Sequence, residues 1–167
     1  PFALRIRVVA GIDLHVELET ENTGNEPFTI GAALHTYFRV GDAERIAIDG
    51  LAGGEYLDKV RDFARDHQHE PPVIRGEVDR VYLDTDGTCA ISDPVLGRRI
   101  EIDKGGSLTT VLWNPGPDKA RSMADFDDDR YREMVCIEAV NAFDDQRTLA
   151  PGERHTLSSR IRTTPLA

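Results

Sequence analysis

Ile12-Asp13-Leu14-His15-Val16-Glu17-Leu18-Glu19 alternates apolar and polar side chains without a fault. Successive residues of an extended chain point to opposite faces, so this stretch predicts a strand with one dry and one wet face. Residues 2–9 read the same way, and Ala10-Gly11 is a tight connection, so the chain is expected to open on a β-hairpin. Asn22-Thr23-Gly24-Asn25 is a turn, after which residues 27–38 form an extended apolar stretch closed by Gly41-Asp42. Further short strands are predicted over 45–48, 56–60, 78–83, 89–92, 99–103, 108–113, 134–139 and 156–162. Asp86-Gly87, Gly105-Gly106 and Pro151-Gly152 are among the breaks between them. A 3.6-residue period is nowhere sustained over three turns, and only 62–66 and 127–133 have room for a turn of helix. The polar stretch 61–72, ending in Pro71-Pro72, reads as a long loop rather than a domain boundary. Short strands at this spacing predict an all-β fold, an antiparallel sandwich or barrel, in a single domain over 1–167.

The 167 residues include 30 Asp and Glu against 20 Lys and Arg, a formal net charge of −10. That balance disfavours nucleic acid or an anionic membrane as a partner. No apolar run approaches the length a bilayer demands, and no internal repeat or heptad is present. The chain starts at Pro1 without a signal-peptide pattern, and Phe2 already lies in a strand, so the start is either a processed end or a point within something longer. Cys89 and Cys136 sit singly inside apolar strands, without disulfide-framework or metal-ligand spacing. Both are expected as buried, reduced thiols of a cytoplasmic protein.

Four places could carry chemistry. His35 follows the small residues Gly31-Ala32-Ala33 in an apolar strand. It is either a core histidine with a satisfied hydrogen bond or a group with room around it for a ligand. Glu138 interrupts Met134-Val135-Cys136-Ile137-Glu138-Ala139-Val140, where period two sets Val135, Ile137 and Ala139 on one face and Cys136, Glu138 and Val140 on the other. With Cys136 and Val140 beside it, Glu138 is expected in partly apolar surroundings that raise its pKa and suit it to proton transfer. Asp79-Arg80 reads first as an exposed ion-paired strand, and Asp79 gains interest only as an acceptor for sugar hydroxyls. Trp113, the sole tryptophan, precedes the stiff turn Asn114-Pro115-Gly116-Pro117. It is either an aromatic packed under a loop or a wall for the apolar face of a pyranose, with Asn114 beside it as a further candidate sugar contact.

Two acidic or histidine-rich features are set aside. The run Asp125-Phe126-Asp127-Asp128-Asp129-Arg130 has Arg130 where a calcium loop needs glycine and lacks the closing Glu. His67-Gln68-His69 has no third ligand in view. A Gly-rich phosphate loop, a Gly-x-Ser-x-Gly elbow and a Cys-x-x-Cys pair are all absent.

The stretches Ala32-Ala33-Leu34-His35-Thr36-Tyr37-Phe38-Arg39-Val40-Gly41-Asp42, Val78-Asp79-Arg80-Val81-Tyr82, Trp113-Asn114-Pro115-Gly116-Pro117 and Val135-Cys136-Ile137-Glu138-Ala139 occur in that order. Together they resemble the hexose-6-phosphate mutarotases (glucose-6-phosphate 1-epimerases) of the aldose 1-epimerase superfamily, over essentially the whole chain. The resemblance implies a galactose-mutarotase-like antiparallel β-supersandwich with an open sugar cleft on one sheet. It implies His35 as general acid toward the ring oxygen, Glu138 as general base at the anomeric hydroxyl, and Asp79 as a holder of sugar hydroxyls. The partner it implies is a small-molecule sugar or sugar phosphate, and its chemistry requires neither cofactor nor metal. One departure stands out: the family's phosphate-binding basic residues come mostly from a segment before the first strand here. The chain is therefore expected to be the C-terminal part of a longer domain, holding acid and base but little of the phosphate grip. Such a piece should carry an exposed sheet edge or apolar face. The alternative is a non-catalytic carbohydrate-binding β-sandwich, in which Trp113 and Asp79 hold a sugar without chemistry. The His35–Glu138 separation discriminates, with about 5–9 Å, borrowed from paired glycosidase carboxylates, leaving room for a ring.

Overall fold

The computed structural model describes residues 1–166. The chain opens on two strands, β1 (Phe2–Ala10) and β2 (Leu14–Asn22), and then three short ones, β3 (Phe28–Ile30), β4 (Ala32–Leu34) and β5 (Tyr37–Arg39). The middle of the chain holds β6 (Ala47–Asp49), β7 (Glu55–Asp58), β8 (Ala64–His67), β9 (Val78–Tyr82), β10 (Cys89–Asp93) and β11 (Arg98–Gly105). The last strands are β12 (Thr109–Asn114), β13 (Met134–Asn141), β14 (Arg147–Leu149) and β15 (Arg154–Pro165), with one α-helix among the described residues, α1 (Gly116–Ser122), after β12. Among the described residues no helix is long and apolar enough to cross a membrane.

Every strand pairing is antiparallel. One sheet runs β1-β2-β15-β11-β10-β6, and a second runs β4-β13-β12-β9-β7-β8 with β5 also on β13. A two-stranded ribbon, β14-β3, stands apart from both. Ile48, Ile91, Ile100 and Ile102 of the first sheet meet Leu112, Val135, Ile137 and Phe38 of the second in one core. The all-β sandwich that the period-two pattern predicts is the architecture observed.

Several local expectations are corrected. The hairpin turn is longer than Ala10-Gly11: Ala10 pairs with Leu14, so Gly11, Ile12 and Asp13 form the loop and Ile12 is 96% exposed. Asp13 takes ion pairs from Arg160 and Arg162, which anchors that loop to β15. Residues 27–38 are not one strand, because β3 leaves to pair with β14 while β4 and β5 pair with β13. Residues 62–66 form no helical turn; Asp62 and Phe63 take positive φ, and the chain then enters β8, which pairs with β7 inside the expected loop. Around Pro115-Gly116-Pro117 the stiff turn continues into α1, since a proline in the first turn of a helix gives up only an amide with no intrahelical partner.

The first hairpin departs from the dry-and-wet scheme. Phe2, Leu4, Ile6 and Val8 share one face of β1, and each is between 56% and 69% exposed. β1 pairs only with β2, so it is also a free sheet edge.

Candidate active site

β13 is buried along its whole length. Val135 and Ile137 enter the core, and Cys136, Glu138 and Val140 point away from it toward the outer face of the second sheet. That face carries an open cleft of about 320 Å³ lined by His35, Asp79, Val81, Val111, Trp113, Glu138 and Val140, with Lys59, Phe63 and Phe143 at its rim. The register explains the assembly. Glu138 pairs with Val111 and Val111 with Val81, while Cys136 pairs with Trp113 and Trp113 with Asp79. Side chains in adjacent rows of one sheet face therefore come from three strands, β13, β12 and β9.

His35 falls in the break between β4 and β5. Leu34 pairs with Ala139 and Tyr37 with Cys136, so the register is the same on both sides and His35 stands across from Glu138. Its Nε2 is 3.3 Å from Glu138 Oε1. The imidazole stacks on Tyr37 at 4.9 Å and meets Trp113 edge-on at 5.7 Å. With a side chain 46% exposed it is no core histidine. The separation is shorter than the 5–9 Å expected from glycosidases. Those enzymes work on opposite faces of a sugar ring, whereas two groups in contact address neighbouring atoms.

Glu138 is only 5% exposed. Burial pushes its pKa up to about 7, the nearby Asp79 carboxylate adds to the rise, and Lys59 opposes it. Asp79 is itself buried rather than part of an exposed ion-paired strand. Its Oδ2 is 2.9 Å from Lys59 Nζ, while Oδ1 is buried with no partner among the described residues. Arg80 is not its partner: it donates to Gln68 and lies over the Tyr56 ring. A buried acceptor left without a partner is costly and calls for an explanation.

Trp113 lines the cleft, yet at 8% exposure it shows only an edge, with Met134, Cys136, Met123 and Phe126 packed against the rest. Asn114 is not in the cleft. Its amide nitrogen donates to Tyr131 and Met134 carbonyls, and its oxygen accepts from Gly116 N–H. Gly116 has φ +61° and a Cβ there would strike the Glu77 backbone, so Asn114 and Gly116 shape the turn rather than meet a ligand.

His35, Cys136 and Glu138 place one donor atom each within 4.8 Å, and among the described residues they are the one such group that could hold a metal ion. Burial raises both the thiol and the carboxyl, which opposes the deprotonation that ligation requires. His67 and His69 are exposed neighbours with no third donor, and the acidic residues Asp125, Asp127, Asp128 and Asp129 are solvated. Cys89 and Cys136 are free and buried, as their sequence setting predicts.

The aldose 1-epimerase family matches residues 2–162. The chain belongs to the aldose 1-epimerase family. A relative from Cenchrus ciliaris named "Putative glucose-6-phosphate 1-epimerase" is 36% identical over 157 residues, which are 91% of this chain and 47% of that protein. One of the same name from Escherichia coli K12 is 35% identical over 144 residues, 86% of this chain and 48% of that protein. The crystal structure of a "putative mutarotase" from Salmonella typhimurium superposes with a TM-score of 0.90 at 32% identity, over 98% of this chain and 54% of its own. The chain thus spans about half the length of the curated relatives it matches. An Escherichia coli structure at 20% identity and TM-score 0.78 shares the fold, a galactose-mutarotase-like β-sandwich. Lys59, Phe63 and Phe143 also line the cleft, and the sequence does not single them out. Lys59 is invisible because it meets Asp79 from a 3₁₀ turn, Lys59–Arg61, twenty positions upstream.

Proposed function

We propose that this chain interconverts the α and β anomers of a hexose 6-phosphate by acid–base opening and closure of the ring. One observation carries the reading: a nearly buried carboxyl with its pKa at about 7 touches an accessible imidazole inside a cleft. Glu138 carboxylate takes the proton of the C1 hydroxyl while the His35 imidazolium gives one to the ring oxygen, and the C1–O5 bond breaks to leave an aldehyde. Rotation about C1–C2 presents the other carbonyl face. On closure His35 takes the proton back from the C5 hydroxyl and Glu138 returns one to O1. Protons balance over the cycle and both groups end as they began. O1 and O5 share C1, so an acid and base in direct contact suit this chemistry, and a ring lies across the pair instead of between its members.

Asp79, in the cleft lining, is the holder of a sugar hydroxyl, and Trp113 with the exposed Tyr37 ring forms an apolar wall. The 6-phosphate follows from the relatives' names, and of the residues around the cleft Lys59 is the cation. The described chain is read as the acid–base part of a single β-sandwich domain. A cytoplasmic setting accords with its two free thiols.

Exchange NMR between the anomers of glucose 6-phosphate tests the reading, with free glucose for comparison. Acceleration over the uncatalysed rate that is lost in Glu138→Gln is the expected result. Sugar binding that survives both Glu138→Gln and His35→Gln, with no turnover in any variant, would instead establish a non-catalytic carbohydrate module.

A further inference from the structure

Two cleft residues carry a conformation that their side chains disfavour. Phe63 has φ +60° and Phe143 has φ +54°. The left-handed region is uncommon for any residue with a Cβ, and a bulky aromatic there is an outlier. Both rings are also half-exposed, so neither recovers the cost by filling the core. They meet each other instead, edge to face with centroids 5.9 Å apart, at the rim of the cleft. Each is tethered to a charged group of the site. Phe63 follows Lys59 by four positions, and Phe143 leaves β13 five positions after Glu138.

We propose that Phe63 and Phe143 form a strained aromatic wall that binds the C–H face of the sugar ring and positions it over His35 and Glu138. This rests on the anomer-exchange reading and adds to it the determinant of sugar affinity. His35, Tyr37 and Trp113 make one aromatic cluster of the cleft, and the phenylalanine pair makes a second, separate one. The buried carboxylates Asp79 and Glu138 line the same cleft. Aromatic surface together with acceptors in one cleft suits a pyranose, which is apolar on its faces and polar around its edge. Backbone strain persists where surrounding structure enforces it, and it gathers at binding sites.

The experiment pairs affinity with stability in Phe143→Asn and Phe63→Asn, since asparagine tolerates the left-handed region. The probe is glucose 6-phosphate, read by anomer-exchange kinetics and by direct titration, with thermal melts alongside. KM and Kd should rise about five- to tenfold, the size of one lost aromatic contact, with kcat falling no more than about twofold. Melting temperature should hold or rise as strain is released. Phe143→Tyr keeps the aromatic surface and should restore the lower KM. Unchanged KM and Kd with a lowered melting temperature in both variants would make the pair structural and overturn the wall while leaving the anomer-exchange reading intact. A parent chain that neither binds nor turns over glucose 6-phosphate would overturn both.

Discussion

His35 Nε2 lies 3.3 Å from Glu138 Oε1, and the two face each other because β4 and β5, on either side of His35, keep one register against β13. The strand pairings that flank position 35 on both sides set it across from position 138, so the pair is preorganised by the sheet around it. A general acid and base so placed act as one unit. His35→Gln and Glu138→Gln should each lower kcat by about 10²–10⁴-fold, and the double variant should be little worse than the poorer single one. Additive losses, measured by anomer-exchange kinetics, would show the two working independently.

The pH dependence follows from the position of Glu138. Its carboxyl titrates at about 7 and must be ionised to accept the C1 proton. kcat/KM should therefore fall about tenfold per pH unit below 7. Burial is the main cause of the raised value, Asp79 adds to it and Lys59 counters it. Lys59→Gln should move the acidic limb to higher pH and Asp79→Asn to lower pH. Movement in the same direction in both variants would overturn this electrostatic assignment.

The same carboxyl weakens the fold at alkaline pH. Between its ordinary value of 4.5 and about 7 the unfolded chain has lost a proton that the folded chain retains. Stability from this group is therefore fully present below that window and is lost as pH rises through it. Glu138→Gln should be more stable than the parent at pH 8, by on the order of 2–3 kcal/mol, and should match it near pH 4. Denaturant titrations of both proteins at the two pH values give the difference directly. A variant less stable than the parent at pH 8 would mean the carboxylate is well satisfied where it stands.

The sequence makes the β-sandwich legible through period two, because alternation needs only neighbouring residues. The faces of β13 were readable for that reason, and with them the buried setting of Glu138. His35 and Asp79 could be singled out as polar residues in apolar strands, yet their exposure was not: His35 proves accessible and Asp79 buried. Asn114 shows why. A polar side chain beside a turn looks the same whether it faces a ligand or satisfies carbonyls, and here the Tyr131 and Met134 carbonyls accept hydrogen bonds from its amide. The Lys59–Asp79 pair and the Phe63–Phe143 contact join residues far apart in the chain, so no local pattern announces them. Helix α1 is hidden by prolines and glycine that equally spell a turn.

The open face of the first hairpin has a measurable consequence. Phe2, Leu4, Ile6 and Val8 form a contiguous apolar row on the edge strand β1, bordering a groove of about 480 Å³ that Phe28 and Ile30 also line. Exposed apolar rows of this kind bind hydrophobic dyes in the native state. The folded chain should enhance anilinonaphthalene sulfonate fluorescence at neutral pH, and the double variant Leu4→Thr, Ile6→Thr should reduce it strongly. Threonine keeps the β-branched preference for a strand, and both side chains are already exposed, so the melting transition should shift only slightly. A parent fluorescence equal to that of the double variant would place the dye-binding surface elsewhere, whereas a large loss of stability in the variant would mean these side chains are packed in solution.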